Sequence, residues 1–208
     1  MGQLTAFNLN EFINEFDVKT YFETGTGVGI SLDYANKFNF DKIYSIDIDS
    51  ELIENSKKKF GSINKINLIN DLSKNALNKI LPTLNNEEPI LFFLDAHFPG
   101  ADFHKISYEE SIRTYKEDAF PLEQELNIIK SIRNNSKDVI IIDDFILYEK
   151  SGNYETIKEG VIWKYDWLQE ELNLKTESVF IYNLFKETHD FKKDERHQGY
   201  LIITPKKK

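Results

Sequence analysis

The residues of this chain that could do chemistry are mostly carboxylates, and each follows a short apolar run. Glu23 closes Thr20–Glu23, Asp47 falls near the end of Ile43–Ile48, and Asp71 follows Ile66–Ile69. Asp95 follows Ile90–Leu94, and Asp143-Asp144 follow Val139–Ile142. Carboxylates accept hydrogen bonds from hydroxyl and amine donors. Several together repel and raise one another's pKa unless a cation sits among them. Hard oxygen donors without Cys and with little His nearby suit Mg²⁺, with Mn²⁺ or Ca²⁺ as alternatives. His97 stands two residues beyond Asp95. With an ordinary pKa near ~6.5, it is a candidate base.

Glu23 runs into Thr24-Gly25-Thr26-Gly27-Val28-Gly29, a turn whose glycines let a ligand approach the backbone at a helix N-terminus. A dinucleotide fingerprint needs G-x-G-x-x-G, but Ile30 stands where the third glycine should follow Gly25 and Gly27. Ile30-Ser31 is not the Lys-Ser/Thr pair of a P-loop. What remains, acidic-x-Gly-x-Gly-x-Gly, resembles the first motif of class I S-adenosylmethionine-dependent methyltransferases. The resemblance spans roughly residues 19 to 205. It implies S-adenosyl-L-methionine as cofactor, with Asp47 on the ribose hydroxyls and Asp71, beside Leu72, near the adenine amino group. Glu23 would orient the methionyl ammonium directly or through the loop, and Thr24, Gly25, Gly27 and Asp95 would complete the cofactor contacts. For Asp49, one residue before Ser50, a helix cap is the simpler reading.

Asp95, Asp143 and Asp144 also look like the metal site of catechol-type and macrocin-type O-methyltransferases. The resemblance implies Mg²⁺ held by these three, a hydroxyl of a small polar acceptor bound to it, and a sugar or sugar nucleotide as that acceptor. Where the sugar enzymes carry a further Asp as base, this chain has His97. Two alternatives remain open. One is metal-independent O- or N-methylation with His97 as base; the other is a non-catalytic S-adenosylmethionine-binding partner subunit.

The elements that must position these residues alternate. Helical patterns cover Phe7–Phe16, Ile30–Phe38, Ser50–Phe60, Asn75–Leu84 and the stretch after Pro121, whose stripe is Leu122, Leu126, Ile129 and Ile132. Gly61 suits a left-handed C-cap. Runs that are apolar throughout, such as Ile90–Leu94 and Val139–Ile142, belong in a parallel sheet covered on both faces. A helix is expected around Ile157–Leu172, then strands Val179–Leu184 and Tyr200–Thr204 as an antiparallel pair across the charged connection Lys186–Gln198. The expectation is an α/β, Rossmann-like, mainly parallel seven-stranded sheet with helices on both faces and a C-terminal antiparallel hairpin. It forms one domain over residues 1–208, with 98–120 as an acceptor-side insertion or lid. That segment carries Asp102, His104, Tyr108, Glu109, Glu110, Arg113 and Tyr115; an ordinary helix around Ser107–Glu117 is the plainer alternative.

Composition narrows the rest. The 208 residues carry 26 Lys and Arg against 35 Asp and Glu, a net charge of −9, which opposes nonspecific nucleic-acid binding. The absence of cysteine excludes disulfides, a thiol nucleophile and Cys-built metal sites. Apolar runs are too short to span a bilayer, and no basic residue precedes Lys19, so a soluble cytoplasmic protein without a signal peptide is expected. An oligomer is left open.

Overall fold

Alternating apolar runs and amphipathic stretches build a seven-stranded sheet. The computed structural model describes residues 4–133, 137–148, 155–158, 161–164 and 178–207. Strands β1 (Thr20–Thr24), β2 (Lys42–Asp47), β3 (Ile66–Asn70), β4 (Ile90–Leu94) and β5 (Val139–Ile142) are parallel. A separate antiparallel ladder pairs β6 (Glu155–Lys158) with β7 (Val161–Lys164). The hairpin β8 (His189–Asp194) and β9 (Tyr200–Pro205) completes the main sheet, in the order β3-β2-β1-β4-β5-β9-β8. The helices are α1 (Leu9–Phe16), α2 (Ile30–Ala35), α3 (Ser50–Phe60), α4 (Ser73–Ile80), α5 (Tyr108–Tyr115), α6 (Leu122–Ile132) and α7 (Ser178–Phe185).

The strands are apolar on both faces because both faces are covered. Along β4, Ile90, Phe92 and Leu94 join one buried cluster while Leu91 and Phe93 join the other. The same period of two divides Ile140 and Ile142 from Val139 and Ile141 on β5. Asp49 caps α3, its side chain accepting from the amides of Glu51 and Leu52. Gly61 is right-handed, with φ −63°, not left-handed as the capping pattern suggests. The glycine supplies room there: a Cβ would stand 2.5 Å from the Lys57 carbonyl oxygen.

The hairpin forms, but its first strand is not Val179–Leu184. That run is α7, where Ile181 and Phe185, four residues apart, are fully buried. A short apolar run cannot distinguish strand from helix by pattern alone. The strand lies instead in the charged connection, at His189–Asp194, where exposed Lys192 and Lys193 suit a sheet edge. The helix expected at Ile157–Leu172 is likewise corrected where residues are described: Ile157 and Lys158 belong to β6, and Val161–Lys164 form β7. The remainder of that expected helix lies outside the described residues. Among the described residues no helix is long and apolar enough to cross a membrane.

The 98–120 segment is ordered by packing. The Phe98 amide donates to the Ala119 carbonyl at 2.9 Å, closing the base of the excursion. The rings of Phe98 and Phe120 meet edge to face at 4.4 Å between centroids. Ile112 of α5 is buried in the same cluster, so this helix shields the core as well as walling a cavity.

Candidate functional site

The chain leaves β1 outward to β2 and β3, then returns to place β4 on β1's other side. At such a reversal the loops beyond β1 and β4 part and leave a crevice. A cavity of about 500 Å³ opens there, lined by the Gly-rich turn, by residues after β2, β3, β4 and β5, and by the 98–120 segment. The exits of β1 and β4 lie side by side: the Asp95 amide donates to the Thr24 carbonyl at 3.1 Å. Gly25, with φ +84°, makes the contact feasible, because a Cβ there would lie 2.5 Å from the Asp95 carbonyl oxygen.

Glu23 does not face this cavity. It is fully buried beneath the loop, and both carboxylate oxygens are taken. The Tyr21 hydroxyl donates to one and the Ser45 hydroxyl to the other, each at 2.6 Å. Ser45 is in turn 2.6 Å from Thr26 Oγ1, and with its own proton committed to Glu23 it accepts from Thr26. A carboxyl on β1 thus holds Thr26 of the Gly-rich turn through β2. Burial pushes its pKa up to about 8 despite the two donors. Thr24 is buried as well, beside Glu125, whereas Gly25, Thr26 and Gly27 line the cavity.

Asp47 meets the loop from the other side. Its Oδ2 accepts from the Gly27 amide at 2.9 Å and its Oδ1 from the Asp49 amide at 2.8 Å. Burial raises its pKa, with those two amides opposing. Asp71 accepts from the Leu72 amide and from the Asn75 side chain, and both Asp71 and Leu72 line the cavity. Lys105, from the 98–120 segment, reaches back to Asp49 at 2.6 Å and Glu51 at 2.8 Å.

Beyond β4, His97 is ringed by acids. Its Nε2 lies 3.0 Å from Asp144 Oδ2 and 3.3 Å from Asp95 Oδ1, and its Nδ1 lies 3.5 Å from Asp102 Oδ2. Burial alone would lower the imidazole pKa, but Asp144 and Asp95 outweigh it and hold the ring well above its ordinary value. Burial pushes Asp95 up to about 6, opposed by His97. Asp143 is raised well above the usual carboxylate range by burial and by Asp95 and Asp144. Among the described residues, its Oδ2 and Oδ1 of Asp144 are buried without a hydrogen-bond partner.

The three acids expected to share Mg²⁺ are therefore neighbours, but the His97 ring stands between Asp95 and Asp144. Among the described residues no three His, Asp or Glu side chains are grouped to hold a metal ion. Asp144 and Asp95 favour the protonated ring, so proton transfer at His97 would involve the acid–imidazole unit as a whole.

Glu125 was not singled out in the sequence. It is 1% exposed on α6 and packs beside Ser73 and Thr24, with burial pushing its pKa up to about 7. The signal was present: an acid three residues after Leu122, on the stripe that continues to Leu126 and Ile129. Of the charged connection, only Gln198 reaches the cavity. His189 is buried against the Asp138 carbonyl, and Arg196 pairs with Asp194.

The sequence matches no family model and no curated protein. Solved structures do match. One is a Staphylococcus aureus protein assigned as a caffeoyl-CoA O-methyltransferase, at a TM-score of 0.57 and 14% identity over 99% of this chain and 85% of that one. A second is the Podospora anserina methyltransferase PaMTH1 bound to S-adenosylhomocysteine, at 0.53 and 19% over 95% and 76%. A third is a Clostridium thermocellum protein assigned as an rRNA methylase, at 0.52 and 15% over 94% of each chain. The chain has the Rossmann-like methyltransferase fold. Identities this low carry the fold alone. Within that methyltransferase fold, the Gly-rich turn and the ends of β2 and β4 wall a single crevice.

Proposed function

We propose that this protein is an S-adenosylmethionine-dependent methyltransferase acting on a hydroxyl or amine of a small polar acceptor, a sugar being the first class to test. One observation carries the reading. A cavity of about 500 Å³ is lined both by the Gly-rich turn, Asp47, Asp71 and Leu72 and by Asp95, His97 and Asp144 of an acid–imidazole cluster. The donor chemistry fits the cofactor: carboxylates accept from ribose hydroxyls and an adenine amine, and no phosphate needs neutralising. Gly25 and Gly27 would keep side chains out of its path, with Glu23 holding the turn through Ser45 and Thr26. When bound, the cofactor supplies a methyl group on a positively charged sulfur.

The chain's own residues then do two things. Phe98, Phe103 and Tyr108 wall the cavity against water. The Asp95–His97–Asp144 unit orients the acceptor and takes its proton, which suits a half-buried carboxyl with a pKa of about 6 near neutral pH. Positioning accounts for most of the rate gain expected of such a site.

A second reading adds a divalent cation, as the resemblance to metal-dependent O-methyltransferases implies. The unpartnered oxygens of Asp143 and Asp144 favour it. The position of the His97 ring between Asp95 and Asp144 opposes it. Calorimetry with S-adenosylhomocysteine, with and without EDTA, tests both readings. Binding unaffected by chelator supports metal-free cofactor binding, and methyl transfer lost in EDTA would restore the cation. Absence of any binding would remove the enzyme readings together.

A further inference from the structure

We propose that the 98–120 segment is a lid over the Gly-rich turn and that Lys105 is its latch, so that S-adenosylmethionine enters and its product leaves when the Lys105 ion pairs part. The inference rests on the methyl-transfer reading for the identity of that ligand and adds how the site opens. One contact lies on the turn itself. The Phe103 ring carbon Cζ stands 3.2 Å from where a Cβ on Gly27 would project, and both residues line the cavity. The ring therefore rests directly on the turn.

Two residues further on, the Lys105 ammonium donates to Asp49 Oδ2 at 2.6 Å and to Glu51 Oε2 at 2.8 Å. These acids stand at the start of α3, 56 and 54 residues away in the chain. Asp49 caps that helix through its other oxygen, Oδ1, which accepts from the Glu51 and Leu52 amides. The cap is thus made without Lys105. The Lys105 side chain is 38% exposed and that of Glu51 70%. Exposed ion pairs are weak and screened by salt. That suits a fastening which must release in every turnover, and not one that holds the fold together.

The segment is built as a flap with fixed feet. The Phe98 amide donates to the Ala119 carbonyl, and the Ser111 hydroxyl donates to the Pro99 carbonyl at 3.0 Å. Between these feet the tip is wound in short turns: the His104 amide donates to the Ala101 carbonyl and the Lys105 amide to the Gly100 carbonyl, each at 3.0 Å. His104, between the two residues that reach the body of the protein, is left-handed at φ +57°. A β-carbon disfavours that conformation, so freeing Phe103 and Lys105 lets the tip relax. A few residues that change φ in this way are enough for a hinge. Asp102 belongs to the same tip, 3.5 Å from His97 Nδ1, so opening also draws it away from the acid–imidazole cluster.

Surface plasmon resonance on the intact protein reads association and release of S-adenosylhomocysteine separately. If that ligand fails to bind, the methyl-transfer reading falls and takes the inference with it. In Lys105→Met, release should quicken about three- to fivefold and association should rise with it, so that Kd moves by less than about twofold. Raising salt from ~50 to ~500 mM should quicken release from the unsubstituted protein and leave Lys105→Met nearly unchanged. The double variant Asp49→Asn/Glu51→Gln, in which Asn still caps α3, should reproduce the effect. Combining it with Lys105→Met should change nothing further. Normal binding with release unchanged in either variant overturns the inference and leaves the methyl-transfer reading standing. So does faster release with association unchanged, which would make Lys105 a contact to the ligand, or effects of the two variants that multiply.

Discussion

The two ends of β5 hold buried acids in opposite condition. At its start Asp138 is fully buried and fully answered. Its Oδ1 accepts from the Ile90 amide and from Arg133 Nη2, and its Oδ2 from Arg133 Nε, each at 2.8 Å. Arg133 also donates to the carbonyls of Asn85 and Glu88. At the other end Asp143 and Asp144 are equally buried, yet each keeps an oxygen without a partner. Buried charge is tolerated when every lone pair and proton is satisfied, and is costly otherwise. The satisfied pair ties the β4 and β5 entrances together, and the unsatisfied pair lies at the exits, where the cavity opens.

Arg133→Met should give the largest effect, because it leaves Asp138 buried with its charge uncompensated and the Ile90 amide as its remaining donor. Urea unfolding should show a loss of about 3–5 kcal/mol. A loss below ~1 kcal/mol would mean that this end does not hold the sheet together.

Glu23→Gln tests a third buried acid, one that is paired but desolvated. Its carboxyl titrates at about 8 when folded and near 4.5 when unfolded. Between those values the unfolded chain gives up its proton while the folded chain keeps it, so Glu23 lowers stability as pH rises from about 4.5 to 8. The amide should flatten that decline, a change on the order of 1–3 kcal/mol across the window, read from unfolding curves at several pH values. An unchanged slope would show that Glu23 is ionised in its pocket.

Asp47→Ala moves from stability to binding, since this acid meets the cavity and the Gly27 amide together. S-adenosylhomocysteine affinity should fall about tenfold by calorimetry, with little change in the unfolding midpoint. Asp143→Asn should have the smallest effect and the opposite sign to Arg133→Met. Burial, with Asp95 and Asp144, disfavours the Asp143 charge, so removing the acid should raise stability by ~1 kcal/mol at neutral pH. A loss of stability there would erase the contrast between the two ends of β5.

The sequence pattern alone settles much of this molecule. Ile90–Leu94 and Val139–Ile142 are strands with the boundaries their apolar runs mark, and α3 spans Ser50–Phe60 with Asp49 as its cap. These features are local: a period of two or 3.6 and a cap read only their own neighbours in the chain. The topological rule that ligands gather at the strand exits then places Asp47, Asp71, Asp95 and Asp144 on one cavity.

Tertiary structure decides the rest, because the deciding contacts join residues far apart in the chain. Val179–Leu184 reads equally well as strand or helix, and packing of Ile181 and Phe185 into the core makes it α7. The polar stretch His189–Asp194 becomes a strand because β9 offers an unpaired edge. Tyr21 and Ser45 together turn Glu23 from a ligand-facing acid into a brace for the Gly-rich turn. The His97 ring stands between Asp95 and Asp144 only because the exits of β4 and β5 lie side by side. Periodicity fixes the segments whose pattern is unambiguous, whereas proton position and charge balance depend on distances through space that no spacing along the chain encodes.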